Sequence, residues 1–476
     1  MAAHREVSVK EPSVGVARRS LGDRARERVV VHVDSLRARC IGALAVFCAA
    51  CWLIALFARD YRHGDWQTDG RLGWSLTVLA AVALIARGIF LGRPVTALHA
   101  MTAGAFLVVG LGAHVLFFDL LGEVLIAGSG LVLMWPTAAH PRPEDLPRVW
   151  ALINTTKADP LAPFAMQAGR GYHFSADGAA ALAYRTRMGF AVVGGDPIGD
   201  EAHFSELVAD FIAMCHTRGW RLVVVACSER RLGLWTDRAV VGQSLRAIPI
   251  GRDVVVDVTS FELAGRKFRN LRQAVNRTHN FGITTEIVAE QDLDDRQRAE
   301  LSTVLLASPK GASTDRGFCM NLDGVLEGRY PGVQLIIARD ASGQVQGFDR
   351  FTTAGGGSDL SLDVPWRRRG APNGIDERLS IDMIAAAKEQ GAQRVSLAFA
   401  AFPELFDGDQ RGRLQKLFSA LIHVLDPLLA LGSLSRYVRN FPAMDSRRYA
   451  LASLTQVVPL MFVLLSLEFM PRRRHL

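Results

Sequence analysis

Residues 361–374 read SLDVPWRRRGAPNG, and this stretch decides the fold of the soluble part of the chain. An apolar run predicts a strand that ends at Asp363, and a helix is predicted to begin near Ile375. Backbone amides at a helix start bind anions and neighbouring arginines add charge, so the stretch predicts an anion site at the mouth of the helix. Asp363, Arg367 and Arg368 are the candidate catalytic residues there, and a basic surface loop is the alternative.

Strand and helix patterns alternate on both sides of this stretch, over residues 137–450. A Val-rich run at 221–227 has the continuous apolar character of a strand that is buried on both faces. Residues 333–351 contain two further runs around a turn and predict a hairpin. The pattern predicts an α/β domain with a mixed sheet and helices on both sides, folded as two similar lobes at 137–300 and 301–450.

The N-terminal part is strongly apolar over residues 40–136, where long runs predict membrane-spanning helices. About 20 apolar residues cross the hydrocarbon core, and the runs at 40–58 and 73–91 have this length. The longer run that follows is interrupted by acidic residues and predicts a hairpin with arms at 95–118 and 120–136. The region is therefore predicted to contain about four spans.

Residues 1–39 form a basic arm, since nine Lys or Arg oppose five Asp or Glu in residues 1–40. Positively charged segments stay on the cytoplasmic side, and four spans return the chain to that side. The sequence therefore predicts a multi-pass protein of the plasma (inner cell) membrane with a cytoplasmic soluble domain. The tail at 451–476 has an apolar stretch too short to span, which predicts an interfacial or core-docked helix.

The formal net charge is +8, and its distribution leaves the soluble part mildly basic. A basic domain on a membrane suits a polyanionic partner such as tRNA or anionic lipid, although the same charge can serve solubility. Of the six cysteines, Cys48 and Cys51 lie in an apolar span and read as packing residues. Neither a disulfide framework nor a metal-ligand spacing is evident, so no metal site is predicted and a reducing compartment is expected.

Residues 264–280 predict a basic helix with an apolar stripe at Phe268, Leu271 and Val275. The cations on its other faces are Arg266, Lys267, Arg269, Arg272 and Arg277. Such a face can follow a phosphate backbone, which makes Arg266, Arg269 and Arg272 candidate binding residues. A solvated helix face is an equally weighted alternative.

The turn-rich sequence GGDPIGD at residues 194–200 contains two carboxylates, Asp196 and Asp200. Both are candidates for holding a substrate amine, because a carboxylate accepts strong hydrogen bonds from an ammonium group. The glycines are most simply explained by the turn itself.

Taken together, these segments resemble the catalytic domain of the lysylphosphatidylglycerol synthetases, which are membrane phosphatidylglycerol aminoacyltransferases. The resemblance extends from about residue 160 to residue 449 and follows the order of the family. Its parts are Phe174-Ser175 with Asp177-Gly178, the 194–200 hairpin, Leu271-Arg272-Gln273, Arg316-Gly317-Phe318, Gly347-Phe348, Ser361-Leu362-Asp363, Ala371-Pro372-Asn373-Gly374, Arg394-Val395-Ser396-Leu397 and Arg448-Tyr449. The ordered set is specific, although no single motif is.

The resemblance implies two tandem acetyltransferase-like (GNAT) lobes. It also implies a reaction that moves an aminoacyl group, lysyl in this family, from aminoacyl-tRNA to a hydroxyl of an anionic phospholipid such as phosphatidylglycerol. On the family pattern Asn373, Gly374, Arg448 and Tyr449 are further substrate-binding candidates. The donor is already an activated ester, so no cofactor is expected.

The partners that the resemblance implies are the membrane, the anionic phospholipid, the aminoacyl-tRNA and a separate aminoacyl-tRNA synthetase that supplies it. A homo-oligomer is a further possible partner. The cellular role that the resemblance implies is resistance to antimicrobial peptides.

Several positions depart from the family. Trp366 stands where an arginine is usual, with Arg367 one residue later, and Val438, Asn440 and Asp445 replace two lysines and a tryptophan. These departures bear on which amino acid is transferred and on which lipid accepts it. Two alternatives follow, namely a membrane acyltransferase with another activated donor and a non-catalytic lipid-binding membrane protein.

Overall fold

The structure is a computed structural model, and it describes residues 25, 28–33, 35–61, 68–237, 241, 244–307, 321–401, 441, 443–453 and 457–469. The chain divides into two compact units. The first comprises Met1–Thr137 with Thr217–Gly219, and the second comprises Ala138–His216 with Trp220–Leu476. Most of the predicted basic arm, the Arg316 motif, Val438 and Asn440 lie outside the described residues.

The N-terminal unit is helical. Its elements are β1 (Val29–Val31), α1 (Leu36–Tyr61), α2 (Thr68–Phe90), β2 (Val95–Thr96), α3 (Ala97–Val115) and α4 (Asp119–Met134). In the described part of the chain 3 helices, α1 to α3, are long and apolar enough to cross a membrane. The predicted hairpin is present as α3 and α4, but α4 has 16 residues and is shorter than a full span of about 20.

Small residues allow α3 and α4 to approach closely. A Cβ on Gly122 would lie 2.8 Å from the carbonyl oxygen of Gly110, and both glycines are buried. Such packing is typical of membrane helices, because lipid leaves no hydrophobic driving force between them and close backbone contact must replace it. The large side chains of Phe117 and Leu120 are exposed instead, which suits contact with lipid.

The C-terminal unit is an α/β domain built on one sheet. Its strands are β3 (Gly171–Phe174), β4 (Ala180–Arg187), β5 (Phe190–Gly194), β6 (Ile198–Gly199), β7 (Arg221–Ser228), β8 (Arg246–Asp257), β9 (Thr284–Ala289), β10 (Val333–Arg339), β11 (Val345–Ala354), β12 (Asp359–Arg367), β13 (Arg394–Ala401) and β14 (Met444–Ala452). Its helices are α5 (Leu146–Thr155), α6 (Phe204–Thr217), α7 (Gly233–Thr236), α8 (Arg269–Asn280), α9 (Asp295–Ala307), α10 (Ile375–Glu389) and α11 (Val457–Phe469).

The strands are ordered β3-β4-β5-β7-β14-β8-β13-β12-β11-β10-β9, and β6 pairs with β4. Two neighbouring pairs are parallel, β5 with β7 and β12 with β13. The connection within each parallel pair contains a helix, α6 in the first and α10 in the second. Each half of the sheet thus contains a β-α-β unit. The predicted fold class, a helical N-terminal part followed by an α/β domain of two acetyltransferase-like lobes, is confirmed.

The halves of the sheet do not divide at residue 300, where the sequence suggested a boundary. The strands β8 and β9 precede this residue, yet they pair with β13 and β10 in the second half. The last strand, β14, pairs with β7 on one side and β8 on the other. The C-terminal strand therefore joins the two halves, a consequence of long-range pairing that local periodicity does not contain.

The strand β12 is longer than the sequence indicated, because it passes through Asp363 and ends at Arg367. The pairing register between β11 and β12 skips Asp363, which makes this residue a β-bulge. Carboxylates are uncommon inside central strands, so the sequence pattern predicted that the strand ends at Asp363.

The C-terminal helix α11 packs on the sheet. Its buried residues Leu460, Val463 and Leu467 contact a cluster that includes Phe190 and Val192 of β5. These positions form one stripe at helical spacing, so burying the stripe explains the apolar tail without a membrane span. Of the two forms predicted for the tail, the core-docked one is present.

Candidate functional site

A buried arginine, Arg448, lies on β14 at the junction of the two halves of the sheet. Its guanidinium donates through Nε to Asp253 on β8 (2.7 Å) and through Nη2 to Asp159 (2.7 Å). Its Nη1 donates to Asp196 (3.3 Å) and to the carbonyl oxygen of Ala226 (3.1 Å). One guanidinium thus brings together a loop, two strand positions and the turn after β5.

This Arg448 cluster (Arg448, Asp159, Asp196 and Asp253) has three carboxylates for one cation, and its members are nearly fully buried. Burial raises the pKa of Asp196 and the nearby Asp159 raises it further, while Arg448 opposes both. Burial lowers the pKa of Arg448, but the three carboxylates outweigh this effect and raise that pKa overall. Arg448 therefore stays charged, and Asp196 is disposed to take up a proton.

The backbone beside the Arg448 cluster is strained at two alanines. Ala158 precedes Asp159 and has a φ of 60°, and Ala226, whose carbonyl accepts from Arg448, has a φ of 64°. Residues with a Cβ rarely adopt this left-handed region, which costs about 1–3 kcal/mol per residue. Strain of this kind concentrates at functional sites, and it marks this cluster as a candidate site.

The second half of the sheet contains a similar group, the Arg350 cluster, formed by Arg350, Asp363 and Glu290. The Arg350 guanidinium donates to Asp363 (2.9 Å) and to Glu290 (2.8 Å), and all three side chains are 0% exposed. The other oxygens of the two carboxylates accept backbone amides, from Leu322 (2.9 Å) for Asp363 and from Leu326 (2.6 Å) for Glu290. The cluster thus fixes the loop at 322–326 to the sheet.

Asp363 belongs to the Arg350 cluster, and both of its carboxylate oxygens accept hydrogen bonds there. The arrangement differs from the direct substrate contact that the sequence suggested, because the bulge at Asp363 directs its carboxylate to Arg350. Burial raises the pKa of Asp363 to about 7, although Arg350 and the Leu322 amide act in the opposite direction. In this geometry Asp363 positions the loop beside it.

Arg367 and Arg368 close β12. Arg367 is exposed and pairs with Asp376 in the first turn of α10 (3.3 Å). The Nη2 of Arg368 donates to the Thr303 hydroxyl (3.3 Å). Arg367 is therefore an accessible cation at the start of α10, where the sequence predicted an anion site.

Trp366, which stands where an arginine is usual in the family, lies in the core. Trp366 is 1% exposed and its ring stacks on Phe348 at 5.1 Å between centroids. Successive residues of a strand face opposite sides, so the side chain of Arg367 points away from this core. Trp366 therefore belongs to the core, and the next residue, Arg367, provides a cation on the other face of the strand.

The turn before α10 contacts the basic helix α8. Gly374 has a φ of 102°, and an added Cβ would lie 3.0 Å from the carbonyl oxygen of Ala274 on α8. This position requires glycine both for its backbone conformation and for the close approach. Asn373 is exposed beside it. The start of α10 is thus attached directly to α8.

The basic helix begins later than predicted, at Arg269, after a 3-10 turn at Arg266–Phe268. Its apolar stripe is buried at Leu271 and Ala274. The exposed cations of this segment, here called the basic face, are Arg266, Lys267, Arg269 and Arg277. Within the described ranges no carboxylate forms an ion pair with any of the four.

Arg272 has a different role from the basic face. It is partly buried, and its Nη1 donates to the carbonyl oxygens of Gly265 (2.7 Å) and Leu263 (3.3 Å). These bonds close the loop that leads into α8. Arg272 therefore supports local structure, whereas the sequence placed it with the binding cations.

A cavity of ≈ 630 Å³ lies beside the start of the basic face. Its wall includes Lys267 and the rings of Phe261 and Phe268, whose centroids are 5.5 Å apart. A smaller cavity of ≈ 10 Å³, about the size of one water molecule, shares Val255 and Arg394 with the larger one. The two cavities are therefore neighbours.

Asp200 and Tyr449 lie outside both clusters. Asp200 accepts the amide hydrogen of Ala202 (3.0 Å), caps a 3-10 turn and is exposed. The Tyr449 hydroxyl donates to Glu229 (3.3 Å). Of the four candidates Asp196, Asp200, Arg448 and Tyr449, the structure brings only Asp196 and Arg448 into contact.

Four residues of the two clusters are missing from the sequence-based prediction, namely Asp159, Asp253, Glu290 and Arg350. Two of them interrupt strands that otherwise read as core, Asp253 in β8 and Arg350 in β11. Because charged side chains are almost never fully buried without partners, a charge at a buried strand position was the signal available. Asp159 and Glu290 lie in loops and gave no comparable signal.

Comparison with known proteins agrees with this architecture. The pattern of the family described as “Phosphatidylglycerol lysyltransferase, C-terminal” matches residues 150–452, more than half of the chain. The chain is 75% identical over 474 residues to the MprF-like domain protein Rv1619 of Mycobacterium tuberculosis, covering 100% of this chain and 97% of that protein. It is 28% identical over 424 residues to the lysylphosphatidylglycerol biosynthesis bifunctional protein LysX of Mycobacterium bovis, covering 88% of this chain and 34% of LysX. The chain thus spans about a third of the length of LysX.

Two solved structures share the fold. A C-terminal DUF2156 domain from Agrobacterium fabrum has a TM-score of 0.59 and 21% identity, covering 69% of this chain and 98% of that one. The L-PGS structure from Bacillus licheniformis has a TM-score of 0.57 and 19% identity, covering 70% and 98%. At these identities the likeness is one of fold.

The fold and the matches define a membrane-associated transferase. The chain belongs to the phosphatidylglycerol lysyltransferase C-terminal family. The family resemblance carried by the ordered motifs is thereby confirmed.

Proposed function

We propose that this protein moves a lysyl group from lysyl-tRNA to a hydroxyl of an anionic phospholipid such as phosphatidylglycerol. The observation that carries the proposal is the basic face, a row of exposed cations without carboxylate partners among the described residues. Such a row binds a phosphate backbone, because each contact releases condensed counterions. The neighbouring ≈ 630 Å³ cavity adds two aromatic rings and Lys267, which suits a nucleotide whose base stacks on an aromatic side chain.

The contact of Gly374 with Ala274 connects donor binding to the candidate catalytic residues. A tRNA end that lies along α8 is brought to the start of α10, where Arg367 is accessible. Asn373 and Gly374 shape this turn. Asp196 and Arg448 belong to the side of the site that holds the aminoacyl group, and Asp200 and Tyr449 flank it.

The proposed chemistry is a direct ester exchange. The lipid hydroxyl oxygen attacks the ester carbonyl carbon, the bond to the tRNA ribose oxygen breaks, and the hydroxyl proton ends on that ribose oxygen. Donors that face the developing oxyanion lower the barrier, and Arg367, Arg368 and the amides at the start of α10 are the proposed donors. Asp363 acts through the Arg350 cluster, which holds the adjoining loop.

The helices α1 to α3 suit a multi-pass anchor that keeps the domain beside its lipid substrate. Charged tRNA is produced by a separate synthetase in the cytoplasm, so we place the catalytic domain on the cytoplasmic side. The anionic headgroups of that leaflet also attract a basic domain.

The test is a transfer assay with membranes that contain the overexpressed full-length chain, tRNA charged with radiolabelled lysine, and added phosphatidylglycerol. Label is expected in the lipid extract, and RNase treatment of the charged tRNA before mixing should abolish it. A new acylated lipid that persists after RNase would favour the acyltransferase with another donor. Absence of any new lipid would favour the non-catalytic lipid-binding protein.

A further inference from the structure

The C-terminal helix α11 is apolar on more sides than the sheet covers. Its 13 residues, Val457–Phe469, include one charged residue, Glu468. The sheet covers the stripe of this helix that includes Leu460. Helical geometry places Phe462, two residues later, on another side, where it is 66% exposed. Since a helix that is apolar on all sides is normally buried on all sides, the outer side of α11 requires an apolar environment.

An exposed methionine adjoins the outer side of α11. Met188 and Gly189 form the turn between β4 and β5, and both have a positive φ, 50° and 81°. Asparagine, aspartate and glycine are usual in such a turn, because larger side chains are strained at positive φ. Met188 nevertheless occupies it and is 62% exposed. The preceding residue, Arg187, donates through Nε to the hydroxyl of Ser466 on α11 (3.1 Å), and Ser466 lies one helical turn after Phe462.

Three arginines flank this apolar surface. Arg187 and Arg221 are each paired across the sheet with Phe190, and the guanidinium carbon of Arg221 lies 5.7 Å from the centre of its ring. Arg246 on β8 is paired with Ala452 on β14. Phe190 and Ala452 both belong to the buried cluster of α11. Because paired residues project from the same side of a sheet, all three arginines lie on the side that α11 covers. Within the described part of the chain none of them forms an ion pair with a carboxylate.

We propose that the outer side of α11, Met188 and the three arginines form a docking surface for an anionic lipid bilayer. Phe462 and Met188 enter the headgroup region, and Arg187, Arg221 and Arg246 face lipid phosphates. With 13 residues the helix is too short to cross the hydrocarbon core, so it lies in the plane of the interface. The contact holds the α/β domain on the bilayer in one orientation.

Two observations favour a bilayer as the occupant of this surface. The helices α1 to α3 are long and apolar enough to cross a membrane, so the tethered α/β domain meets the bilayer at a high effective concentration. The positive charge of the three arginines matches the negative surface potential of anionic lipid. A second copy of the chain fits less well, because a symmetric contact would bring the same arginines together. The inference does not depend on the aminoacyl donor.

The experiment uses the full-length chain in vesicles, with the photo-crosslinking amino acid p-benzoylphenylalanine in place of Phe462. The vesicles contain radiolabelled phosphatidylcholine, either alone or mixed with phosphatidylglycerol. On irradiation the benzophenone forms a bond to a C–H group that it contacts, and we expect labelled lipid on the protein. The matched control has the same amino acid in place of Phe281, which is 60% exposed and precedes β9 at the other end of the sheet. The control should acquire no label above background.

The contribution of the arginines is measured by the effect of phosphatidylglycerol, which should raise the labelling at position 462 by about 5-fold for each arginine that meets the anionic surface. Arg221→Gln with Arg246→Gln should remove most of this increase, whereas Arg187 is retained because its hydrogen bond holds α11. Two exposed cations of α9 and α10 provide the matched control, and Arg296→Gln with Lys388→Gln should leave the increase unchanged.

Several results would overturn the inference. Equal labelling at positions 462 and 281 would show that lipid contact is not specific to this surface, and background labelling at both would show that there is no contact. A crosslinked protein dimer in place of the lipid adduct would assign the surface to a second copy of the chain. Labelling that responds neither to phosphatidylglycerol nor to the arginine variant would reject an anionic surface as the occupant. Since the assay needs no charged tRNA, its outcome is separate from that of the transfer assay.

Discussion

The guanidinium of Arg350 donates to Asp363 at 2.9 Å in an interior position where both side chains are 0% exposed. The same guanidinium donates to Glu290 at 2.8 Å, so one cation serves two carboxylates. In the Arg448 cluster, at the junction of the two halves of the sheet, one arginine likewise serves several carboxylates. Each cluster joins loops to the sheet through charge, and each is therefore sensitive to loss of its arginine.

Replacement of Arg350 by methionine should reduce the free energy of unfolding by about 3–5 kcal/mol, because two buried carboxylates lose their counter-charge. The measurement is denaturant-induced unfolding of the detergent-solubilised chain. Arg329→Met is the control, since Arg329 forms partly exposed pairs with Asp323 and Glu327, and the loss of each should cost about 1 kcal/mol or less. Similar losses in the two variants would contradict a special contribution of the Arg350 cluster.

Asp363→Asn and Arg367→Ala should each raise the barrier of the transfer reaction by about 2–4 kcal/mol, the scale of losing one directed electrostatic contact. For Asp363 the effect passes through the loop at 322–326, and for Arg367 it reflects direct stabilisation of charge. Both variants should lower kcat more than they raise KM. Arg369→Ala replaces an exposed arginine of the same loop and is the control. Near-normal turnover of Asp363→Asn and Arg367→Ala would show that the active site lies elsewhere.

The stability of the fold should depend on pH through Asp363. Burial raises the pKa of Asp363 to about 7 in the folded chain, compared with about 3.9 in an unfolded one. The folded state then binds more protons between these values. Its unfolding free energy should therefore fall as pH rises from about 4 to about 7, by at most about 1.4 kcal/mol per pH unit.

This contribution is fully present below about pH 4 and is lost above about pH 7. Asp363→Asn cannot titrate, so the difference in unfolding free energy between wild type and variant should shrink or reverse as pH rises through this window. Unfolding curves at half-unit intervals measure the difference. A constant difference across the window would show that Asp363 stays ionised throughout.

The basic face should bind tRNA without sequence preference. Replacement of Arg266 and Arg269 by glutamine should weaken binding of all tRNAs alike, and each lost phosphate contact should flatten the plot of log affinity against log salt by about one unit. Lys388→Gln removes an exposed cation at the far end of α10 and should have little effect. Unchanged affinity in the double variant would leave the basic face as a solvated surface.

Arg272 is excluded from that variant because its bonds to Gly265 and Leu263 close the loop before α8. Arg272→Gln should lower the melting temperature as well as tRNA affinity. A loss of tRNA affinity without a loss of stability would show that Arg272 is one of the tRNA-binding residues.

The membrane topology can be tested with reporter fusions. Fusions after Gln67 and after Phe117 should report the outside, and a fusion after Pro143 should report the cytoplasm. Phe117 is preferred to Gly122 because it is 90% exposed at the hairpin turn, whereas Gly122 is buried against Gly110. If the fusion after Pro143 reported the outside, the catalytic domain would have no access to tRNA, and this would contradict the proposed donor.

Much of the architecture follows from the sequence alone. Long apolar runs determine the helical N-terminal unit, alternation of strand and helix patterns determines the α/β class, and the ordered motifs determine the family. The stripe through Leu271 places α8 on the core with its cations outward. These features depend on composition and on contacts between near neighbours, which a sequence pattern records directly.

Only the tertiary structure decided where the charges meet. Local patterns placed Asp363 at a strand end, but pairing across the sheet makes it a bulge that binds Arg350, 13 residues away. Arg448 reaches Asp159 across 289 residues because β14 inserts between β7 and β8. Burial, strand order and ion pairing are properties of the packed whole, so no local period along the chain contains them.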